Sequence, residues 1–147
     1  MLKNFLTFST VALLLAIAEP GSAHFGMVIP SAPAVTPENR SILLSLSFSH
    51  PFEGIGMDLI KPDQFYVVKD GKKSDLLPDL QETRVMDHLA WKTNFQAKRP
   101  GVYRFVMEPS PYWEPTEGLS IIHYSQVMVP AFGSEDGWGE PLGLPTE

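Results

Sequence analysis

The four histidines are the residues of this chain whose type and placing carry the most chemistry. His24 directly follows Gly21-Ser22-Ala23, small residues of the kind a signal peptidase reads. Cleavage after Ala23 makes His24 the new terminus, where its α-amino group and imidazole together close a chelate ring around a metal ion. The amine has an ordinary pKa of roughly 7.7–8.0, so a metal displaces its proton near neutral pH. Imidazole suits nickel, copper, zinc and iron. His50 ends an apolar alternating stretch in its buried register, and His123 lies among apolar neighbours. Together with His24 they offer three imidazoles and one amine, enough for a four-ligand site. Taken singly, His50 or His123 reads more simply as a core or rim histidine satisfied by a hydrogen bond; the terminal histidine brings the ligand reading level with it.

Other candidates stand around these three. His88 follows Asp87 in polar surroundings and reads as a surface residue. Met27 is a soft extra ligand or, more simply, an apolar packing residue. Glu53 and Glu114 have three readings each: ligand, carboxylate orienting an imidazole, or solvated charge. Tyr112 and Trp113 wall a site or pack on a sheet, with packing the plainer reading.

Several chemistries are excluded. The chain has no cysteine, so disulfides, thiolate metal sites and cysteine nucleophiles are absent. No glycine-rich phosphate loop with a following lysine occurs, no Gly-x-Ser-x-Gly elbow and no His-Glu-x-x-His helix. Asp70-Gly71 reads as a hairpin turn and not as the start of a calcium loop. The formal net charge of −6 offers no basic face for nucleic acid, and it concentrates cations nearby.

Positioning these residues falls to a leader, one domain and a tail. Residues 1–23 follow the plan of a secretory signal peptide: Lys3, the apolar run Phe5 to Ala18, then Glu19-Pro20-Gly21. The run is shorter than the ~20 residues a spanning helix needs. An uncleaved anchor is the alternative, and Ala16-Ile17-Ala18 is a rival cleavage site inside the apolar run. The expected location is periplasmic or extracellular, with no membrane span in the mature chain. Residues 24–130 suit one domain, and residues 131–147, rich in Gly, Pro, Asp and Glu, read as an extended tail.

Fourteen prolines and eleven glycines punctuate short apolar runs, which favours an all-β domain. Ser41 to His50 alternates with a period of two and puts Ile42, Leu44, Leu46 and Phe48 on one buried face. Gln64 to Val68, His88 to Gln96, Val102 to Glu108 and Ser120 to Pro130 are the other strands expected, His123 falling inside the last. Asp75 to Asp87 has room for a helical turn, against which Pro78 and a poor periodicity count. Pro100-Gly101-Val102-Tyr103-Arg104-Phe105 resembles the tyrosine corner of immunoglobulin-like sandwiches, where a tyrosine ties back to an earlier turn. The expected fold is therefore an immunoglobulin-like β-sandwich.

A family resemblance joins these motifs. Ala23-His24-Phe25-Gly26-Met27-Val28-Ile29-Pro30-Ser31, Ser49-His50-Pro51-Phe52-Glu53-Gly54, Arg99-Pro100-Gly101-Val102-Tyr103, Pro111-Tyr112-Trp113-Glu114 and Ile122-His123-Tyr124 occur in this order. The set resembles the periplasmic component of nickel and cobalt uptake ABC transporters, the NikK-like proteins. The resemblance spans nearly all of residues 24–147. It implies an extracytoplasmic β-sandwich that works beside the membrane components of a metal importer and is not an enzyme. His24, His50 and His123 lie in the matching motifs and are carried over as the metal residues. Relatives usually continue past the equivalent of Pro145-Thr146-Glu147 into further β structure and often a membrane anchor, so the sandwich is expected to be incomplete at its C-terminus.

Three functions follow as expectations. The first is a metal-binding accessory that captures nickel or cobalt, with copper or zinc as other ions these ligands accept. The second is a copper-dependent oxidative enzyme built on an N-terminal histidine clamp. The third is a metal-free interaction module in which the histidines are structural.

Overall fold

The computed structural model describes residues 25–51, 53–114, 118–134 and 139. Its strands are β1 (Phe25–Pro30), β2 (Ser41–His50), β3 (Ile55–Met57), β4 (Gln64–Lys69), β5 (Lys72–Asp75), β6 (Gln81–Val85), β7 (His88–Gln96), β8 (Gly101–Glu108), β9 (Tyr112–Glu114), β10 (Leu119–Ile121) and β11 (Ser125–Ala131). One 3-10 turn, Leu77–Asp79, lies between β5 and β6. It starts on Leu77, and Pro78 in its first turn has a fixed φ that suits this position and no N–H to donate there. None of the helices among the described residues is long and apolar enough to cross a membrane.

Two antiparallel sheets face each other. One runs β1-β2-β7-β6, with β3 also paired to β2; the other runs β11-β8-β4-β5. In chain order this is the A-B-E-D over G-F-C-C′ arrangement of an immunoglobulin-like sandwich. Residues after β1 cross between the sheets: Val35 bridges Ala131 in parallel, donating its N–H to Pro130 and accepting from Phe132.

The core follows from period-two alternation. Ile42, Leu44, Leu46 and Phe48 of β2 are buried against Phe65 and Val67 of β4, Tyr103, Phe105 and Met107 of β8, and Val129 of β11. Each fully buried large side chain contributes roughly 1.5–3 kcal/mol of transfer free energy. Hence the serines of β2 do not prevent a strand: Ser41 and Ser45 take the outward positions that the pleat leaves to them.

Two hairpin turns have positive φ at both central residues. Asp70 (51°) and Gly71 (69°) join β4 to β5, and Met86 (52°) and Asp87 (66°) join β6 to β7. Positive φ at both central residues is the twist that a two-residue hairpin demands. The corner at Tyr103 is present. Its hydroxyl donates to the Arg99 carbonyl at 2.9 Å and accepts from the N–H groups of Lys98 (3.2 Å) and Arg99 (3.1 Å). Its ring meets Phe95 edge-on, centroids 5.2 Å apart.

One expected strand is corrected. Ser120 to Pro130 is not continuous: β10 ends at Ile121, β11 begins at Ser125, and His123 lies in the loop between them. The reason is the neighbour. β11 pairs with β8 from Met107↔Ser125 onward, and β8 gives way after Glu108 to Pro109-Ser110-Pro111. The two prolines lack the N–H that a further ladder needs. Upstream of Ser125 the chain instead forms β10, which pairs with β9 in a small hairpin of its own.

Candidate functional site

The end of the sandwich where β1 starts and β2 stops collects the residues with chemistry. Phe25 opposes Ser49, and Gly26 opposes Phe48, so the beginning of β1 lies beside the end of β2. Phe48 points into the core side and carries two aromatic neighbours at its tip. Tyr112 meets it edge-on at 5.5 Å, and the His123 ring is tilted against it at 5.7 Å. His50 follows two residues after Phe48, on the same face of β2 by the alternation of the strand, and is buried. Its carbonyl accepts the Glu53 N–H and closes the turn at Pro51.

Gly26 lies under the His123 loop. A Cβ there would stand 3.2 Å from Met107 Cε, a tight approach, and 3.6 Å from the His123 Cβ, an ordinary contact. Glycine thus makes room for Met107, and the His123 loop lies at van der Waals distance from β1. Ser125 fixes that contact by donating its hydroxyl to the Gly26 carbonyl.

A cavity of about 180 Å³ opens beside this cluster. Phe48, Leu59, Ile60, Tyr112 and Trp113 form much of its wall, with Pro109 and Pro111 at one side. Its polar side chains are His123, Asp58 and Ser110, together with the Tyr112 phenol and the Trp113 indole. Leu59 is held by two backbone bonds, its carbonyl accepting the Trp91 indole N–H at 2.9 Å and its N–H donating to Leu89. Burial raises the Tyr112 phenol above its ordinary pKa, and the Glu114 carboxylate beside it adds to the effect. Tyr112 thus stays a neutral phenol throughout the physiological range. Tyr112 and Trp113 do wall a cavity; Trp113 remains more than half exposed at its mouth.

The structure sorts the other candidates. His88 does not join the cluster: its Nδ1 lies 3.3 Å from Asp58 Oδ1, and both side chains are substantially exposed. The same Asp58 oxygen accepts the Leu89 N–H at 2.8 Å. That backbone bond, more than the His88 imidazole, holds the Asp58 carboxyl below the ordinary value of 3.8, against a smaller opposing push from desolvation. Met27 pairs with Ser47 on the face of β1 opposite to that of Gly26 and His123. Glu53 is exposed, and Glu114 sits on β9 beside Tyr112.

His24 lies outside the described residues. Among the described residues no three His, Asp or Glu side chains are placed to hold one metal ion. His50 and His123 flank Phe48 from two different elements. Asp58 is the polar residue that sequence reasoning missed. It has no local signature, because its role depends on Leu89 and His88, some thirty residues away.

No curated protein and no solved structure matches the chain. One family model does, over residues 21–147, and its description is "Domain of unknown function (DUF4198)". The match covers the whole sandwich, from the residues before β1 through β11, and the chain belongs to the DUF4198 family.

Proposed function

We propose that this chain is an extracytoplasmic nickel- or cobalt-capture protein that presents its ion to the membrane components of an importer, and that it is not an enzyme. Residues 1–23 serve as the export signal, and His24 becomes the first residue. The observation that carries the reading is the register of β1 on β2. His24 is one Cα–Cα step, ~3.8 Å, from Phe25. Phe25 opposes Ser49, the neighbour of His50, and the next residue, Gly26, underlies His123. Covalent connection ties His24 to the end of the sheet at which His50 and His123 lie.

Three imidazoles and an amine form a nitrogen-rich donor set suited to late divalent transition metals. The ligands bind as free bases, so affinity falls as pH drops below about 6 and imidazoles and amine protonate. The net charge of −6 favours cation approach.

The test is metal titration of the exported protein, with its terminus read by intact mass. The expected result is a chain starting at His24 that binds one nickel or cobalt ion. His24→Ala, His50→Ala and His123→Ala should each weaken binding by about tenfold or more, ~1.4 kcal/mol. One residue added before His24 should do the same, since it removes the terminal amine from the chelate ring. Unchanged affinity in the extended chain would refute the terminal site. The same extension leaves an interaction module with structural histidines unaffected.

A further inference from the structure

We propose that the open cleft at the β4–β5 hairpin is a binding site for a small soluble polyanion of the phosphate class, such as a diphosphate. The site is independent of the metal reading. β2 begins on this side, where Ser41 opposes Gln96, and it ends at His50, ten residues and about 30 Å further on.

The register of the strands gathers the charge. Phe65 and Val67 of β4 are buried in the core, and Lys69 follows them on the same face. Lys69 opposes Lys72 and Val67 opposes Ser74, so Lys72 and Ser74 of β5 share that face. From the other sheet come Phe95 near the end of β7, then Lys98 and Arg99 in the turn that follows it. Together they line a cleft of about 390 Å³. Four of the eleven Lys and Arg of a chain with net charge −6 thus converge on one place. Asp70 is the one carboxylate among the described lining residues, and it is taken by Lys69 at 2.7 Å. Lys72, Lys98 and Arg99 make no ion pair among the described residues. Inward charges on an edge strand also discourage pairing with another chain. That accounts for Lys72, but Lys98 and Arg99 belong to the opposite sheet.

Lys69 is held ready for a ligand. Its side chain is only 16% exposed, and its ammonium lies 5.6 Å over the Tyr103 ring. A Cβ on Gly101 would stand 2.5 Å from Nζ, so glycine at that position is what admits the ammonium. One N–H of Lys69 serves Asp70, and the ammonium keeps two more donors. Such fixing lowers the ordering cost of binding. Arg99 adds a planar fork that matches phosphate oxygens, and the lysines add point charges. Four cations and one carboxylate leave a lining of net charge +3, which suits more than one phosphate group, each carrying roughly −1.5 to −2. The volume agrees, being more than twice the ~150 Å³ that holds benzene. A flat bilayer meets projecting side chains, whereas Lys69 stands back from the surface, so the phosphate is that of a soluble molecule.

The experiment is calorimetric titration of the exported protein with pyrophosphate in metal-free buffer, with sulfate and citrate at matched ionic strength as comparison anions. The expected result is saturable 1:1 binding of pyrophosphate, at least about tenfold tighter than either comparison anion. Lys72→Gln and Arg99→Gln should each weaken it by about tenfold, the loss of one charge-assisted contact. Lys73→Gln is the control. Lys73 is the next residue of β5 but faces the other way, 3.6 Å over the Tyr66 ring, and its loss changes the net charge equally. Thermal unfolding verifies that each variant is folded. Equal weakening by Lys72→Gln and Lys73→Gln overturns the proposal, because the anion then answers to overall charge alone. Equal affinity for all three anions overturns the phosphate assignment. Absence of pyrophosphate binding overturns the site, and co-sedimentation with phosphatidylglycerol vesicles in that case assigns the cations to a lipid surface.

Discussion

Replacing Tyr103 by Phe removes one oxygen atom and tests how firmly the corner before β8 is tied. The hydroxyl makes three hydrogen bonds to the backbone of Lys98 and Arg99, at 2.9 to 3.2 Å. A net bond of this kind contributes about 0.5–1.5 kcal/mol. Lys98 and Arg99 are exposed, so water replaces part of what is lost, and the low end applies to each bond. The expected loss is about 1–2 kcal/mol. For a domain of this size that lowers Tm by roughly 4–8 °C. The ring stays in place against Phe95, so the m-value of urea unfolding should not change. Tyr103→Leu, which also removes the edge-on ring contact with Phe95, should cost more. Parallel thermal and urea unfolding of wild type and both variants measures this. A Tyr103→Phe midpoint within about 0.3 kcal/mol of wild type would refute the reasoning, since surface substitutions without structural consequence fall in that range.

Two other perturbations follow from named contacts. Gly56→Ala puts a Cβ 2.7 Å from His88 Cδ2 and 2.9 Å from the Met86 carbonyl, so the backbone of the β6–β7 turn must shift; the expected cost is about 1–3 kcal/mol by urea unfolding, and a neutral result would show that the turn yields freely. Asp58 is held below its ordinary value of 3.8, so its charge stabilises the folded state fully above that pH, and the contribution is lost as pH falls from there through the lower value of the folded state. Asp58→Asn should therefore be less stable than wild type at pH 6, with the gap narrowing toward pH 3; a gap independent of pH would contradict the assignment.

The elements legible in the sequence were those with their own pattern. β2 and β7 have the bounds that alternation and flanking Pro, Gly and polar residues set, and Tyr103 betrayed the corner through the Pro-Gly turn before it. β6 was not legible, because Gln81-Glu82-Thr83-Arg84 is a polar edge whose pairing comes wholly from β7. β1 was not legible either: apolar Phe25 and Ile29 face outward and remain exposed, so no alternation marks the strand. At the site, the buried register of His50 followed from β2 itself. The setting of His123 did not, since it depends on where β8 runs out of hydrogen-bonding backbone. The Asp58–His88 pair joins residues thirty positions apart and has no signature in either segment.

The chain closes on itself late. Gly26 is held by Ser125, 99 residues further on, and Val35 bridges Ala131 at the end of the last strand. During synthesis the N-terminal residues emerge first, but their partners in β11 emerge near the end. Such distant pairings carry the largest loop-closure cost and form after the local hairpins β4–β5 and β6–β7. The bed of Gly26 on which the His123 loop rests therefore exists only once β1 and β11 have met. An unfinished chain displays its histidines separately on a flexible polymer, and their common neighbourhood is a property of the completed sandwich. Order of assembly thus acts as a check: the cavity beside Phe48 takes shape only in a molecule that has already folded end to end.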